Sequence, residues 1–315
     1  MGFESLLGNT RLKENLQRSI QSGRTAHFYL ISGPVGSGKR TLTRLLAAAL
    51  QCGASARPCH NCPACRKVMA DTHPDVITVT DPEHKAVAVK IVRQIRDDMF
   101  VRPNEGQKKI YVFPQELNIE GQNALLKVLE EPPSYGVFIL LSENPEQLLP
   151  TVRSRAVELA LGTLSRAELI PALKKAYPDA GAEELEAAVF RSGGYLGQAL
   201  QILEEGGSLP PQTEAFADCF ARKDTLALVQ LLASMEKWKR DAAMTQFSQW
   251  SGLLQQALMC HSGMPAVTPM VRQMATARSP FDLNRAIVSL VKADEYLRSN
   301  VSPGAVCGWL SWELR

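Results

Sequence analysis

The feature that most constrains the fold is a glycine-rich segment between an apolar run and a helix-like stretch. Residues Gly33–Lys39 read GPVGSGK and follow the apolar run Phe28–Ile31. They match the G-x-x-x-x-G-K part of a phosphate-binding loop, in which backbone N–H groups surround an anion and the lysine reaches the terminal phosphates. This pattern predicts a strand, a phosphate loop and a helix, and so a P-loop α/β domain. The candidate nucleotide-binding residues are Gly33, Gly36, Ser37, Gly38 and Lys39.

The first half of the chain alternates apolar, strand-like runs with helix-length stretches. After the first run, strands are predicted at 75–79, 110–113, 137–141 and 156–159. Continuous apolar strands separated by helices are typical of a parallel sheet covered on both faces, so we expect an α/β domain with a parallel five-stranded sheet. Later in the chain only helical patterns are found. The expected domains are 1–162 (P-loop α/β), 163–207 (small and helical) and 208–315 (all helical), with a linker at 206–211.

Two positions that a hydrolytic P-loop site needs hold unsuitable residues. The residue after Lys39 should be Ser or Thr, whose hydroxyl binds Mg²⁺, but here it is Arg40. Thr41 follows, yet a helix turns by about 100° per residue, so its hydroxyl should point elsewhere. After the third strand, where Asp should hold Mg²⁺, the chain reads Pro114-Gln115-Glu116. We therefore expect a loop that could hold ATP or ADP without hydrolysing it, and leave open a metal site rescued by Thr41 or Glu116.

A dense group of cysteines follows the helix of the phosphate loop. Its members are Cys52, Cys59, Cys62 and Cys65. Thiolates at this spacing can surround one tetrahedral Zn²⁺ and leave no position open for water, which predicts a structural zinc module at 52–65. Two alternatives stay open: His60 could replace one thiolate, and an iron–sulfur cluster would use similar ligands.

The overall charge argues against a chain that binds nucleic acid by itself. Lys and Arg total 35 against 32 Asp and Glu, a net charge of +3, so a DNA contact needs a local patch or a partner's charge. Lys237–Arg240 could be such a patch, although a helix face with a buried Trp is the commoner origin of this pattern. Trp309 and Trp312 predict packing inside the helical domain. With no membrane-length apolar run and no secretory signal, we expect a cytoplasmic protein.

Several segments together make the first two thirds of the chain resemble a known family. They are Gly23–Leu30, the four-cysteine module, Thr72–Asp75, Asn123–Pro133 and Leu148–Arg155. On these grounds residues 4–205 are similar to the delta-prime subunits of the bacterial DNA polymerase III clamp loader, in the AAA+ superfamily. The resemblance implies an AAA+ P-loop domain, a helical lid at 163–207 and a helical collar at 208–315 that joins subunits into a ring.

The resemblance also implies roles for single residues. Ser154-Arg155 falls on the family's Ser-Arg-Cys motif, whose arginine acts in trans on ATP held by a neighbouring motor subunit. Arg155 is the preferred residue for this role and Arg153 the weaker candidate. Gly197 stands where motor subunits have a sensor arginine, which would be a third missing part of the hydrolytic site.

The function implied by the resemblance is that of a non-hydrolysing clamp-loader subunit, which braces the ring while motor subunits spend ATP. Its partners would be the gamma/tau and delta subunits, with the sliding clamp and primed DNA reached through the complex, and no membrane. Intrinsic ATPase activity is not expected, and nucleotidyl transfer would belong to the polymerase holoenzyme as a whole. Two other hypotheses remain: an active gamma/tau-like ATPase motor, and a stand-alone zinc-dependent DNA-binding module.

Overall fold

The structure, a computed structural model, describes residues 2–205, 210–263 and 268–315. The chain forms two compact units, Met1–Ala176 with Ser192–Leu200 and Tyr177–Arg191 with Gln201–Arg315. Most of the predicted linker at 206–211 and the predicted boundary at 207 lie outside the described residues. The division into 1–162, 163–207 and 208–315 therefore stays a prediction.

The first unit is built on a sheet of five parallel strands. They are β1 (Phe28–Ser32), β2 (Val76–Thr78), β3 (Lys109–Phe113), β4 (Gly136–Ser142) and β5 (Val157–Ala160). Their spatial order is β2-β3-β4-β1-β5, with every pairing parallel. All residues of β1, β3 and β4 are buried, which explains the apolar run that makes up most of each strand. The predicted α/β fold class, with a parallel five-stranded sheet and a glycine-rich loop between the first strand and the next helix, is confirmed.

Helices cover both faces of this sheet. The helices that lie wholly in the first unit are α1 (Thr10–Gln21), α2 (Lys39–Gln51), α3 (Pro63–Met69), α4 (Val89–Asp98), α5 (Ile119–Glu130), α6 (Pro150–Arg153) and α7 (Arg166–Ala176), with a 3-10 turn at Pro145–Gln147. Successive strand residues point to opposite faces, so Ile31 packs in a core with Leu42 of α2, while Leu30 belongs to a core with Val92 and Leu125. Because the strands are parallel, the loops that follow β1, β3 and β4 emerge at one edge of the sheet.

The carboxylate of Asp75 ties the loop before β3 to the start of β2. Asp75 is fully buried and accepts hydrogen bonds from the backbone N–H groups of Asn104 (2.5 Å), Glu105 (2.9 Å) and Gly106 (2.7 Å). Burial by itself would raise the pKa of Asp75, but these three donors hold that pKa below its usual value. The side chain is therefore an ionised, buried anchor for this edge of the sheet.

The second unit is helical throughout its described part. Its helices are α8 (Ala182–Arg191), α10 (Pro211–Arg222), α11 (Thr225–Ser234), α12 (Arg240–His261), α13 (Pro269–Ala277), α14 (Pro280–Arg298) and α15 (Pro303–Glu313), while α9 (Leu196–Glu204) is shared between the units. Trp250 lies in the core of this unit and stacks on Phe216 with ring centroids 4.3 Å apart. Among the described helices of the chain, none combines the length and the apolar character needed to cross a bilayer.

The two C-terminal tryptophans have different surroundings. Trp309 packs edge-on against Tyr296 with ring centroids 5.2 Å apart, as the sequence predicted. The prediction that Trp312 packs inside the domain is wrong, because 68% of its surface is exposed. The buried residues of α15 include Val306 and Leu310, and Trp312 lies outside that buried face.

Candidate functional site

The predicted phosphate loop connects the carboxyl end of β1 to α2, whose first residue is Lys39. Gly33, Gly36 and Gly38 have φ angles of 150°, 78° and 98°, which residues with a side chain rarely adopt. The loop can therefore bend as a phosphate cradle must. Within the described chain, the buried hydroxyl of Ser37 has no hydrogen-bond partner, so it could donate to a phosphate oxygen.

Lys39 is turned toward its own loop. Its Nζ donates to the carbonyl oxygens of Gly33 at 2.5 Å and Pro34 at 2.9 Å. Burial lowers the pKa of Lys39, while the negative charge of Glu143 opposes this shift. The ammonium group that would meet a terminal phosphate thus binds loop carbonyls, and a nucleotide would have to draw it away from them.

The start of α9 packs directly on the phosphate loop. The N–H of Gly197 donates to the carbonyl of Gly36 at 2.9 Å, and the side-chain amide of Gln198 donates to the carbonyl of Val35 at 2.9 Å. A Cβ atom added at Gly197 would lie only 2.6 Å from the Cα of Gly36. The missing side chain at position 197 is therefore what allows this close approach, a role that the sequence alone did not reveal.

The positions where a hydrolytic site would hold Mg²⁺, at the start of α2 and after β3, do not bring suitable ligands together. Arg40 and Thr41 are exposed at the start of α2, and Glu116 is exposed after β3. Gln115 accepts a hydrogen bond from the N–H of Asp81 at 2.9 Å and donates to the carbonyl of Asp81 at 3.1 Å, so its amide holds a neighbouring loop. Across the described residues, the four thiols are the one group of three or more His, Cys, Asp or Glu side chains arranged to hold a metal.

The predicted zinc ligands come together in space. The Sγ atoms of Cys52, Cys59, Cys62 and Cys65 all lie within 4.8 Å of one another. Those of Cys52 and Cys62 are 4.0 Å apart. Sulfur atoms about 2.3 Å from a tetrahedral Zn²⁺ are separated from each other by roughly 3.8 Å, so the cluster fits this ion. Cys52 follows the last residue of α2 and Cys62 caps the first turn of α3, so the ion would join the ends of two helices.

The backbone around the cluster favours one thiolate and keeps His60 away. Hydrogen bonds from the N–H groups of Cys62 and Asn61 lower the pKa of Cys59 to about 6. Burial raises the pKa of Cys65 to about 12, and a divalent cation bound by the sulfurs would favour the ionised form. His60 places its Nε2 atom 2.8 Å from the carbonyl oxygen of Gly2, so the alternative in which it replaces a thiolate does not fit.

The two candidate arginines after α6 are held by different partners. Arg155 donates from Nη1 to the carbonyl of Thr151 and from Nη2 to Oε1 of Glu130, both at 2.6 Å. Arg153 contacts two carboxylates, those of Glu146 at 2.5 Å and Glu158 at 3.3 Å. Sequence reasoning missed these acidic partners, because nothing in the local pattern joins residues as far apart as Glu130 and Arg155.

The comparisons with known proteins concern mainly the first half of the chain. A family model described as "DNA polymerase III, delta subunit" matches residues 8–165. The chain is 41% identical over 176 residues to DNA polymerase III subunit delta' of Pseudomonas aeruginosa, and 35% identical over 160 residues to subunit gamma/tau of Mycobacterium bovis. These matches cover 54% and 49% of this chain.

The matched regions are only parts of those relatives. The chain spans 53% of the Pseudomonas protein and 27% of the mycobacterial one. Among solved structures, a gamma subunit-related protein of Thermotoga maritima is 15% identical, with a TM-score of 0.45 and coverage of 96% of this chain and 99% of that chain.

Proposed function

Because the chain belongs to the family described as DNA polymerase III, delta subunit, whose model matches residues 8–165, we propose that it is a clamp-loader subunit in bacterial DNA replication. It acts in the cytoplasm with gamma/tau and delta subunits, and meets the sliding clamp and primed DNA through the complex. It does not hydrolyse ATP itself. It braces the ring and supplies Arg155 in trans to the ATP of a neighbouring motor subunit.

The contrast between Arg155 and Arg153 carries this proposal. Within the described chain Arg155 pairs with the single carboxylate of Glu130, whereas Arg153 contacts those of Glu146 and Glu158. A guanidinium shared by two carboxylates has little charge left for a phosphate. Arg155 is a third exposed, and exposed ion pairs are weak, so a phosphate group can replace one of its partners.

The closed phosphate loop supports the non-hydrolysing part of the proposal. Lys39 binds the carbonyls of its own loop, and the backbone of Gly36 occupies the space that a side chain at position 197 would need. ATP or ADP bound here would find the donors of the loop, but no carboxylate at the position of Gln115 to hold Mg²⁺. The loop then serves as scaffolding rather than as a site of turnover.

The cysteine cluster adds a structural metal to the proposal. We expect one Zn²⁺ held by Cys52, Cys59, Cys62 and Cys65, because their sulfur atoms all lie within 4.8 Å of one another, close enough to converge on one tetrahedral ion. Four protein ligands leave no position for water, so this ion would stabilise the module at 52–65 without taking part in a reaction.

An exposed apolar face on the second unit supports assembly with related subunits. On α14, Phe281, Val288 and Val291 are exposed at spacings of seven and three residues, which places them along one side of the helix. Large apolar side chains that stay exposed along one face are typical of interaction surfaces. The proposed occupant is the helical C-terminal domain of a neighbouring clamp-loader subunit.

The test is the ATPase activity of a complex assembled with gamma/tau and delta subunits, the clamp and primed DNA. Arg155→Ala should assemble normally but lower ATP turnover, because removing a trans arginine costs about 10³-fold at the site that it serves. Arg155→Lys should restore little, since Lys lacks the planar fork of donors. ATP turnover that is unchanged in Arg155→Ala would refute the assignment. So would a loss of turnover in Arg153→Ala as large as the loss in Arg155→Ala.

A further inference from the structure

We propose that Glu130 is a positioning residue for Arg155, which holds the guanidinium ready for the phosphate of a neighbouring subunit. This inference rests on the proposed function of Arg155 in trans and adds a second residue to the same site. It concerns a contact within one compact unit, between the end of α5 and the segment that follows α6.

The position of Glu130 is fixed by the end of its helix. Glu130 is the last residue of α5, and Glu131 leaves the helical conformation with φ −128° and ψ 66°. Pro132 and Pro133 follow, and proline cannot continue the helix because it lacks the N–H donor. Since Leu125 and Leu129 of α5 are buried in the core, the carboxylate at its end is carried by a rigid element.

Arg155 is held at two points by two different elements. Glu130 accepts from Nη2, and the carbonyl of Thr151 in α6 accepts from Nη1, each at 2.6 Å. Two bonds to the ends of one planar group fix its plane as well as its place. An arginine side chain loses rotamer entropy when it is fixed in one position, so holding it in advance reduces the entropy that must be lost when a phosphate binds.

The exposure of the ion pair allows the guanidinium of Arg155 to exchange Glu130 for a phosphate. The Arg155 side chain is 33% exposed and that of Glu130 is 52% exposed, so water screens their attraction. A nucleotide phosphate carries more charge than one carboxylate and can take over the Nη2 donor while Thr151 keeps Nη1 in place. Glu130 therefore orients Arg155 without preventing it from binding a phosphate.

The neighbouring Glu131 provides a matched control. Both glutamates are exposed at the end of α5, and removing either changes the net charge equally. The side chain of Glu130 accepts a hydrogen bond from Arg155, whereas Glu131 donates its backbone N–H to the carbonyl of Lys127. An effect through Arg155 should therefore appear at position 130 only.

The experiment measures steady-state ATP turnover of the complete complex carrying E130A, E130Q, E131A, R155A or E130A with R155A. We expect E130A to lower kcat by about twofold to fivefold, the range that loss of an exposed ion pair allows, with KM for ATP unchanged. E130Q, which keeps an acceptor oxygen, should fall between E130A and the unmodified chain, and E131A should match the unmodified chain. Adding E130A to R155A should cause no further loss.

Each other outcome decides between the two proposals. If R155A lowers turnover but E130A does not, or if E130A raises turnover, Glu130 does not position the arginine and the proposed function stands. If E130A lowers kcat equally with and without Arg155, its effect is structural and the positioning role is refuted. If R155A leaves turnover unchanged, the proposed function itself fails.

Discussion

Replacing Gly197 by Ala should destabilise the first unit, although the same change at an open helical position stabilises a protein. The added Cβ would lie 2.6 Å from the Cα and 2.9 Å from the carbonyl oxygen of Gly36. Non-bonded carbon atoms prefer separations of about 3.5–4.0 Å, so the start of α9 would have to move away by about 1 Å. Both atoms that it meets are backbone atoms of the phosphate loop, which cannot rotate aside.

The magnitude follows from three opposing contributions. Ala is favoured over Gly inside a helix by about 0.5–1 kcal/mol. Overpacking of a tight contact costs about 1–3 kcal/mol. The hydrogen bond from the N–H of Gly197 to the carbonyl of Gly36, 2.9 Å long, would lengthen or break, at a cost of about 0.5–1.5 kcal/mol. We therefore expect a net loss of about 1–3 kcal/mol in the free energy of unfolding.

Gly308→Ala is the control, because a Cβ at this exposed position of α15 would meet no atom within 4 Å. The free energy of unfolding of that variant should rise by about 0.5–1 kcal/mol. Urea denaturation followed by circular dichroism gives both free energies, and hydrogen exchange of residues 33–39 shows whether the loss arises at the phosphate loop. A Gly197→Ala variant as stable as the unmodified chain, or more stable, would refute the reasoning.

Three further expectations concern the metal, a buried carboxylate and the phosphate loop. Protein purified without chelator should contain about one zinc per chain by elemental analysis, and Cys59→Ser should lower that content; absence of zinc from the unmodified protein would contradict the cluster assignment. Asp75→Asn should be less stable at pH 7; because the folded pKa of Asp75 is lowered, the difference should shrink as pH falls below about 4, and a constant difference would argue against an ionised anchor. The isolated chain should not hydrolyse ATP. Hydrolysis by the unmodified chain that is lost in Lys39→Ala would instead favour the gamma/tau-like motor.

The central strands β1, β3 and β4 were predictable because they are buried on both faces. Every residue of β4 is buried, and its sequence is apolar without interruption from Val137 to Leu141, so the strand stands out by itself. Helix starts were less clear, since α5 begins at Ile119 after a cap in which Asn118 accepts from the N–H of Gly121.

The candidate site was predictable where it is local in sequence. The cysteines at 52–65 and the loop at 33–39 can be recognised from their residue types and spacing. The structure brings the members of each set together. Contacts between distant residues left no such pattern. Gly197 looked like the loss of an arginine, yet its lack of a side chain permits a contact with Gly36. The requirement for glycine at position 197 becomes visible only in the folded structure, where the backbone of Gly36 lies against it.

The helix α2 joins two features that the sequence presents as separate. It begins at Lys39, directly after the phosphate loop, and ends at Gln51, directly before the first cysteine of the cluster. Its 13 residues span roughly 20 Å, and most of them are buried. The proposed Zn²⁺ would hold the C-terminal end of α2, so its loss would weaken the support that this helix gives to the phosphate loop. Oxidation of the thiolates would remove ligands of the proposed ion and would therefore reach the phosphate loop through the opposite end of this helix.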